Sequence, residues 1–267
     1  MTMTTEITFK DLLNRAAFDA HFNATTSRLK AQPDNSAARE LLFKFYCLEG
    51  DWHNALTHLE ILKALDAEYT KRVELYKNLV MSEILRARVL AGDITPAGLT
   101  EPLPEWGALL HEANRQFASG HDEDAERLRQ QAFDLAPLTA GEGEEITPFS
   151  WIADSDGRLG PVCEFICAGG YRWVPFSALR ALKIHRPVDL LDLLWLPAQM
   201  TLADGQFQGY IPARYPLTPQ ATQETRLGSL TDWQPVSESL CIGLGRKMLI
   251  TDNADYALPD LRELRFY

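Results

Sequence analysis

As far as residue 136 the apolar residues of this chain recur every three or four positions, and beyond residue 148 that rhythm stops. This change of period constrains the fold more than any other feature. A stripe at helical spacing buries one face of a helix, whereas short apolar runs broken by glycine and proline suit strands. Six amphipathic segments are legible in the front half. They are marked by Leu12, Leu13, Ala16 and Ala20; by Leu41, Leu42, Phe45 and Leu48; and by Trp52, Ala55, Leu56, Leu59 and Leu62. Then follow Leu75, Leu79, Ile84 and Val89; Leu109, Leu110 and Phe117; and Ala125, Leu128, Ala132 and Leu135. Pro33-Asp34-Asn35-Ser36 offers a stop and then a cap for the next helix.

The junctions Glu49-Gly50-Asp51, followed by Ala55, and Ser119-Gly120, followed by Ala125, look alike. Gly50 and Gly120 are 70 residues apart, as are Ala55 and Ala125, and Ala20 precedes Ala55 by 35. A unit of about 34 residues is the length of a tetratricopeptide helix pair, in which a small residue lets two helices approach closely. The repeat is degenerate, with Leu90 at the intermediate position and the loop 92–104 interrupting it. The pattern predicts a helical-hairpin repeat domain over residues 1–137; the alternative is an irregular helical bundle.

Residues 137–148, with Gly141-Glu-Gly143-Glu-Glu145 at their centre, read as a linker. Beyond it Val162-Cys-Glu-Phe-Ile-Cys167 reads as a strand, Ala168-Gly169-Gly170 as a turn and Tyr171-Arg-Trp-Val174 as the returning strand. Residues 177–182 suggest a helical turn, and 187–196 suit either strand or short helix. Residues 208–211 and 247–251 resemble strands. The expected fold is therefore a TPR-like helical domain, 1–137, followed by a strand-rich α+β domain, 138–267.

Composition narrows the function. The chain has 26 basic and 37 acidic residues and a net charge of −11, with the acid excess shared between both halves. No basic run offers a phosphate-tracking surface, so nucleic-acid binding is not expected. The four cysteines form no C-x-x-C pair, which suits a reducing compartment. Met1-Thr-Met-Thr-Thr-Glu6 lacks the basic and apolar regions of a signal peptide, and no apolar run approaches a bilayer span. A cytoplasmic protein is expected, with neither membrane nor nucleic-acid partner.

The densest polar motif is Trp151-Ile-Ala-Asp154-Ser-Asp156-Gly-Arg158-Leu-Gly-Pro161. Asp154-Ser-Asp156-Gly157 resembles the start of a calcium loop, but the sixth and twelfth positions are Leu159 and Phe165, so that reading fails. What stays open is a polar turn whose acids bond backbone amides, an Asp–Arg pair fixing the loop, or a binding surface. Cys163 and Cys167 share a strand face with Phe165, a core pattern, and the six histidines are scattered, so no metal or cofactor is expected. Gly243-Leu-Gly245-Arg246-Lys247 lacks the signature of a phosphate loop and reads as a glycine kink leading into a strand. No Gly-x-Ser-x-Gly elbow occurs, and Asp189 with Asp192 reads as ordinary surface chemistry. An enzyme would have to use Asp154, Asp156, Arg158 and His185, the one histidine of the back half. Tryptophan and arginine are enriched at interface hot spots, which draws attention to Trp151, Trp173, Trp195, Trp233 and Arg214-Tyr215-Pro216.

Taken in order, these blocks resemble the ImpE family, also called SciE or TagJ, of bacterial type VI secretion accessory proteins. The resemblance is carried in front by Pro33, Ala38-Arg39, Leu41-Leu42-Phe43, Leu48-Glu-Gly50-Asp51-Trp52, Ala55-Leu56, Glu83 with Arg86, and Ala91-Gly92. Behind, it is carried by the Trp151–Pro161 motif, Tyr171-Arg-Trp173-Val-Pro-Phe176, Pro187 with Asp189, Asp192-Leu-Leu-Trp195, Arg214-Tyr-Pro216 and Thr231-Asp-Trp233. Leu191 stands where an arginine is expected, and Gly245-Arg246-Lys247 where the family tends to have Gly-Gln-Arg. The resemblance implies a non-enzymatic adaptor that binds the N-terminal helix of the small sheath subunit and is linked to the ClpV-type AAA+ ATPase. Trp151, Asp154, Asp156, Arg158, Trp173, Trp195, Arg214 and Tyr215 are the expected protein-binding residues; the rival role for the motif is to lock the two domains together.

Overall fold

The computed structural model describes residues 12–65 and 67–267; Met1-Thr-Met-Thr-Thr-Glu6 and the helical reading of residues 7–11 lie outside the described residues. Six helices occupy the six amphipathic segments: α1 (Arg15–Ala31), α2 (Ser36–Glu49), α3 (Trp52–Leu65), α4 (Thr70–Leu90), α5 (Glu105–Ala118) and α6 (Asp122–Leu135). Asn35 caps α2 by accepting the Ala38 N–H, as the Pro33–Ser36 run predicts. Neighbours in sequence pack on each other, α1 on α2, α2 on α3, α3 on α4 and α5 on α6.

Three of these helices end in the same way. Gly50, Gly92 and Gly120 have φ of 74°, 79° and 78°. The residue after each glycine donates its N–H five residues back, Asp51 to Tyr46, Asp93 to Arg88 and His121 to Gln116. This closure satisfies carbonyls that a helix end would otherwise orphan, and the left-handed φ favours glycine. Gly50 and Gly120 are thus equivalent, and Gly92 is a third case that the simple spacing conceals.

The strands are β1 (Gly141–Gly143), β2 (Ile152–Asp154), β3 (Val162–Cys167), β4 (Gly170–Pro175), β5 (Leu179–Ile184), β6 (Trp195–Leu202) and β7 (Gly205–Pro212). After a one-turn helix α7 (Gln223–Arg226) come β8 (Thr231–Pro235), β9 (Cys241–Gly245), β10 (Met248–Thr251), β11 (Asp255–Ala257) and β12 (Glu263–Phe266). Seven form a sheet in the order β1-β12-β5-β6-β7-β3-β4, β11-β10-β2 form a second, and β8-β9 a ribbon. The large sheet curls on itself: Phe176, just past edge strand β4, meets Phe266 on β12 with ring centroids 6.2 Å apart. The curl encloses Phe165, Leu182, Leu196, Met200 and Leu264.

β3 is buried on both faces. Cys163 and Phe165 point into the curl, as the alternation predicts, while Val162 and Ile166 join Leu79, Leu110 and Trp173 in an apolar core shared with the helices. The helical layer and the sheet therefore bury one another.

Three local readings change. Residues 177–182 hold only a 3-10 turn, Phe176–Ala178, and then enter β5, whose pairing with both β12 and β6 overrides local preference. The 137–148 stretch contains β1, paired to β12; a Cβ on Gly141 or Gly143 would run into the β12 backbone. Residues 187–196 resolve into a 3-10 turn, Leu190–Leu193, followed by β6. Asp192 accepts the N–H groups of Val188 and Asp189, and Asp189 accepts that of Leu191, so the pair closes a turn; Asp192 is buried, whereas Asp189 stays at the surface and pairs with Lys44 at 2.6 Å. Gly245, with φ 83°, ends β9 and turns the chain toward β10, the kink expected there.

A Cβ on Gly92 would strike the backbone of Arg115, whereas Gly120 has open space around it. Gly120→Ala is expected to cost about 1 kcal/mol, the backbone penalty alone. Gly92→Ala is expected to cost clearly more, because α4 and α5 must also separate. Urea melts of the two variants test this, and equal losses would refute the close approach.

Candidate functional site: a buried charge network between helices and sheet

Glu164 is the single acid in the apolar run of β3, and strand alternation turns it toward α4. Arg86 meets it there, fully buried, with Nε 2.7 Å from Oε1 and Nη2 2.8 Å from Oε2. This two-point pairing fixes orientation as well as distance. The third nitrogen of Arg86 donates to Glu83 at 3.3 Å and to the Arg214 carbonyl at 3.0 Å. Glu83 accepts the Trp195 indole N–H at 3.0 Å, which ties α4 to the start of β6. The Tyr171 hydroxyl donates to Glu164 and accepts the Trp173 indole at 2.9 Å.

On its other side Glu164 lies 2.6 Å from the Lys247 ammonium, which also sits 2.5 Å from Asp154. The second oxygen of Asp154 accepts the Tyr215 hydroxyl and the Asp156 N–H, each at 3.0 Å. Asp156 then holds the Arg158 N–H, the Arg158 guanidinium through two contacts of 3.0 and 2.6 Å, and the Gly243 N–H at 3.0 Å. The turn reading and the Asp–Arg pair reading of the motif are both present, in one structure. Arg214 donates to the carbonyls of Cys47 and Leu48 at 3.0 and 2.9 Å, and to that of Arg226. It thus places a cation at the C-terminal end of α2, where the helix dipole favours one.

Glu83, Asp154, Asp156 and Glu164 face Arg86, Arg158, Arg214 and Lys247, so the formal charges balance. Balance is required, since an unpaired charge in this interior would be strongly destabilising. Burial pushes the Asp154 carboxyl up to about 6, against the pull of Lys247. Burial would also raise Glu164, but Arg86 and Lys247 on either side hold it well below the usual carboxylate range. Arg214, bonded only to carbonyls, is pushed down to about 10 by burial.

Of the residues expected to bind protein, Asp154, Asp156, Trp173, Trp195, Arg214 and Tyr215 are buried within the chain's own fold. Trp151 and Arg158 are half-buried. The indoles of Trp173 and Trp195 donate inside the network, whereas that of Trp151 makes no hydrogen bond among the described residues. Trp151 lines a cleft with a volume of about 360 Å³ between the end of α6 and the β2–β10 sheet. Trp233 lies on the exposed ribbon strand β8 and packs on Tyr215 at 5.9 Å. His185 follows β5 and lines a different hollow with Glu74, Asn78 and Tyr210, so the four residues an enzyme would need do not share one pocket. Among the described residues no group of three or more His, Cys, Asp or Glu is placed to hold a metal ion.

Glu164, Lys247 and Tyr171 are members of the network that no sequence motif singles out as site residues. The signal for Glu164 was available: an acid inside a strand that is otherwise wholly apolar demands a buried partner. Lys247 carried no comparable signal, because a lysine near a glycine kink is ordinary at a surface.

Glu164→Gln and Arg86→Met should each destabilise by about 3–5 kcal/mol, because each strands a buried charge. The double variant should lose less than the sum. Asp154→Asn should be milder. A carboxyl raised from 3.8 to about 6 contributes stability that is fully present below pH 3.8 and lost as the pH rises through 6. The melting temperature of the wild type relative to Asp154→Asn should therefore increase as pH falls from 7 to about 5. A difference that is flat with pH would contradict the network as described.

Comparison with known proteins gives a consistent result. The family profile described as ImpE protein matches residues 146–265. Its span contains the Asp154 turn, Glu164 and Lys247 but not Glu83 or Arg86, so the network crosses its boundary. Over 259 residues the chain is 40% identical to the type VI secretion system accessory component TagJ of Pseudomonas aeruginosa, covering 96% of this chain and 90% of that protein. A crystal structure of a Vibrio parahaemolyticus protein has the same fold, with a TM-score of 0.87 over 97% of both chains at 24% identity. The chain belongs to the ImpE family, of which TagJ is a member.

Proposed function

We propose that this protein is an accessory adaptor of a type VI secretion system that works by binding and catalyses no reaction. The observation that carries this reading is the 40% identity, over nearly the whole chain, to a type VI secretion accessory component. The finer reading is that it binds the N-terminal helix of the small sheath subunit and, through that contact, serves sheath recycling by the ClpV-type AAA+ ATPase. It works in the cytoplasm, and no helix among the described residues is long and apolar enough to cross a membrane. The chemistry of the network supports an adaptor over an enzyme. Both oxygens of Asp154, Asp156 and Glu164 are engaged by groups of the chain itself, leaving none poised to act as a general base. A rigid body that offers a docking face to an amphipathic helix needs only complementarity, not a reactive group.

Calorimetric titration of the full chain with a synthetic peptide of the small sheath subunit's N-terminal helix is expected to give a Kd in the micromolar range or tighter. No heat, together with no competition against intact sheath subunit, would remove the sheath reading.

A further inference from the structure

Charge neutralisation accounts for most of the buried network, but the corner where Lys247, Asp154, Glu164 and Tyr215 meet is more organised than neutralisation requires. The Lys247 Nζ lies 2.5 Å from Oδ2 of Asp154 and 2.6 Å from Oε2 of Glu164, and each of these three residues is 4% exposed or less. Among the described residues, the other lysine–carboxylate contacts, Lys44 with Asp189, Lys63 with Glu74 and Lys77 with Glu60, are open to water.

The other oxygen of Asp154, Oδ1, is held separately. It accepts the Tyr215 hydroxyl and the Asp156 N–H, each at 3.0 Å. Two donors aimed at one carbonyl oxygen stabilise the negative charge that develops there when the carbon is attacked. The backbones on either side are pinned as well. Asp154 pairs with Leu249 in the β2–β10 ladder, and the Ser155 N–H donates to the Met248 carbonyl at 3.1 Å. The Lys247 Nζ also lies over the Tyr215 ring, 4.9 Å from its centroid. A nitrogen nucleophile, a carboxyl carbon and a pair of oxyanion donors are thus held together away from water, the condition under which an intramolecular reaction gains most.

We propose that the Lys247 amine and the Asp154 carboxyl condense within the folded chain, joining the start of β10 to the end of β2 by an isopeptide bond. The ammonium first passes a proton across its short contact to Oδ2, which leaves a neutral amine and a neutral carboxyl. The nitrogen lone pair then attacks Cγ; the C–N bond forms, and charge moves onto Oδ1 between Tyr215 and Asp156. One N–H proton moves to the Oδ2 hydroxyl, the Cγ–Oδ2 bond breaks, and one water leaves. No oxidant, reductant or co-reactant is consumed. Glu164 is a positioning residue that keeps the nitrogen beside Asp154.

Burial pushes the Asp154 carboxyl up, which favours its reactive neutral form. Burial also lowers the Lys247 ammonium, but Asp154 and Glu164 more than offset this and raise it. The neutral pair is therefore the minor form, and the bond accumulates slowly, once per molecule, with no substrate turned over. The product keeps the interior balanced, because one cation and one anion vanish together. Glu83, Asp156 and Glu164 still face Arg86, Arg158 and Arg214. The pH dependence expected above for Asp154 is that of the chain before it reacts.

The test is intact-mass spectrometry of the full chain, denatured at intervals during prolonged incubation at about pH 6, where the Asp154 carboxyl is half protonated. The wild type should become lighter by one water, in a fraction that grows with time. A tryptic digest should then contain a branched peptide carrying both Asp154 and Lys247, uncut after the acylated lysine. Lys247→Arg keeps a cation between the same acids, but a guanidinium stays protonated, so this variant should fold and hold its full mass. Tyr215→Phe removes one donor to Oδ1 and should slow the water loss at least about tenfold. A wild type that keeps its full mass throughout overturns the proposal. So does a water loss shared by Lys247→Arg, or one mapped to Asp156-Gly157, where an Asp-Gly pair can close to a succinimide. A folded Tyr215→Phe that reacts as fast as the wild type overturns the assigned geometry.

Discussion

A guanidinium with no exposed surface, gripped at two points by a carboxylate from another layer, is the contact on which this architecture turns. Arg86 belongs to a helix and Glu164 to a strand, and neither tolerates the interior without the other. Their pairing sets the rotation of α4 about its axis and the face that β3 presents. The neighbouring groups extend the same demand. Lys247 brings the start of β10 to Glu164, Asp154 brings β2 to Lys247, and Glu83 brings β6 through Trp195. Apolar burial would hold these layers together in many registers, since it has no direction. Hydrogen-bonded charges select one.

This division explains why the polar motif looks functional. Dense in acids and an arginine, it suggests a binding surface, yet here the acids close a turn, hold a lysine and fix an arginine. Trp151 is half-buried, its indole makes no hydrogen bond among the described residues, and it lines a cleft with the exposed Leu138.

Some of this was legible in the residues alone. The six helices, their glycine ends and the strand–turn–strand of Val162 to Val174 follow from local chemistry: apolar period, side-chain caps and left-handed φ. The inward face of Cys163 and Phe165 follows from alternation. These depend on neighbours within a few positions, so the chain carries them explicitly.

Other features belong to the tertiary structure. Residues 179–182 became a strand because β12 and β6 flank them, and Gly141-Glu-Gly143 became one because β12 was there to receive it. Lys247 and Glu164 are 83 positions apart and Arg86 and Glu164 are 78 apart, so no local pattern links them. Whether a tryptophan in this chain is fully or only partly buried is equally undecidable from its neighbours, as Trp173 and Trp151 demonstrate within one motif-rich stretch. Local sequence set the elements and their buried faces, because those depend on short-range periodicity and backbone freedom. Which charges meet, and which aromatic stays free, was decided only when distant segments were folded into a common low-dielectric interior.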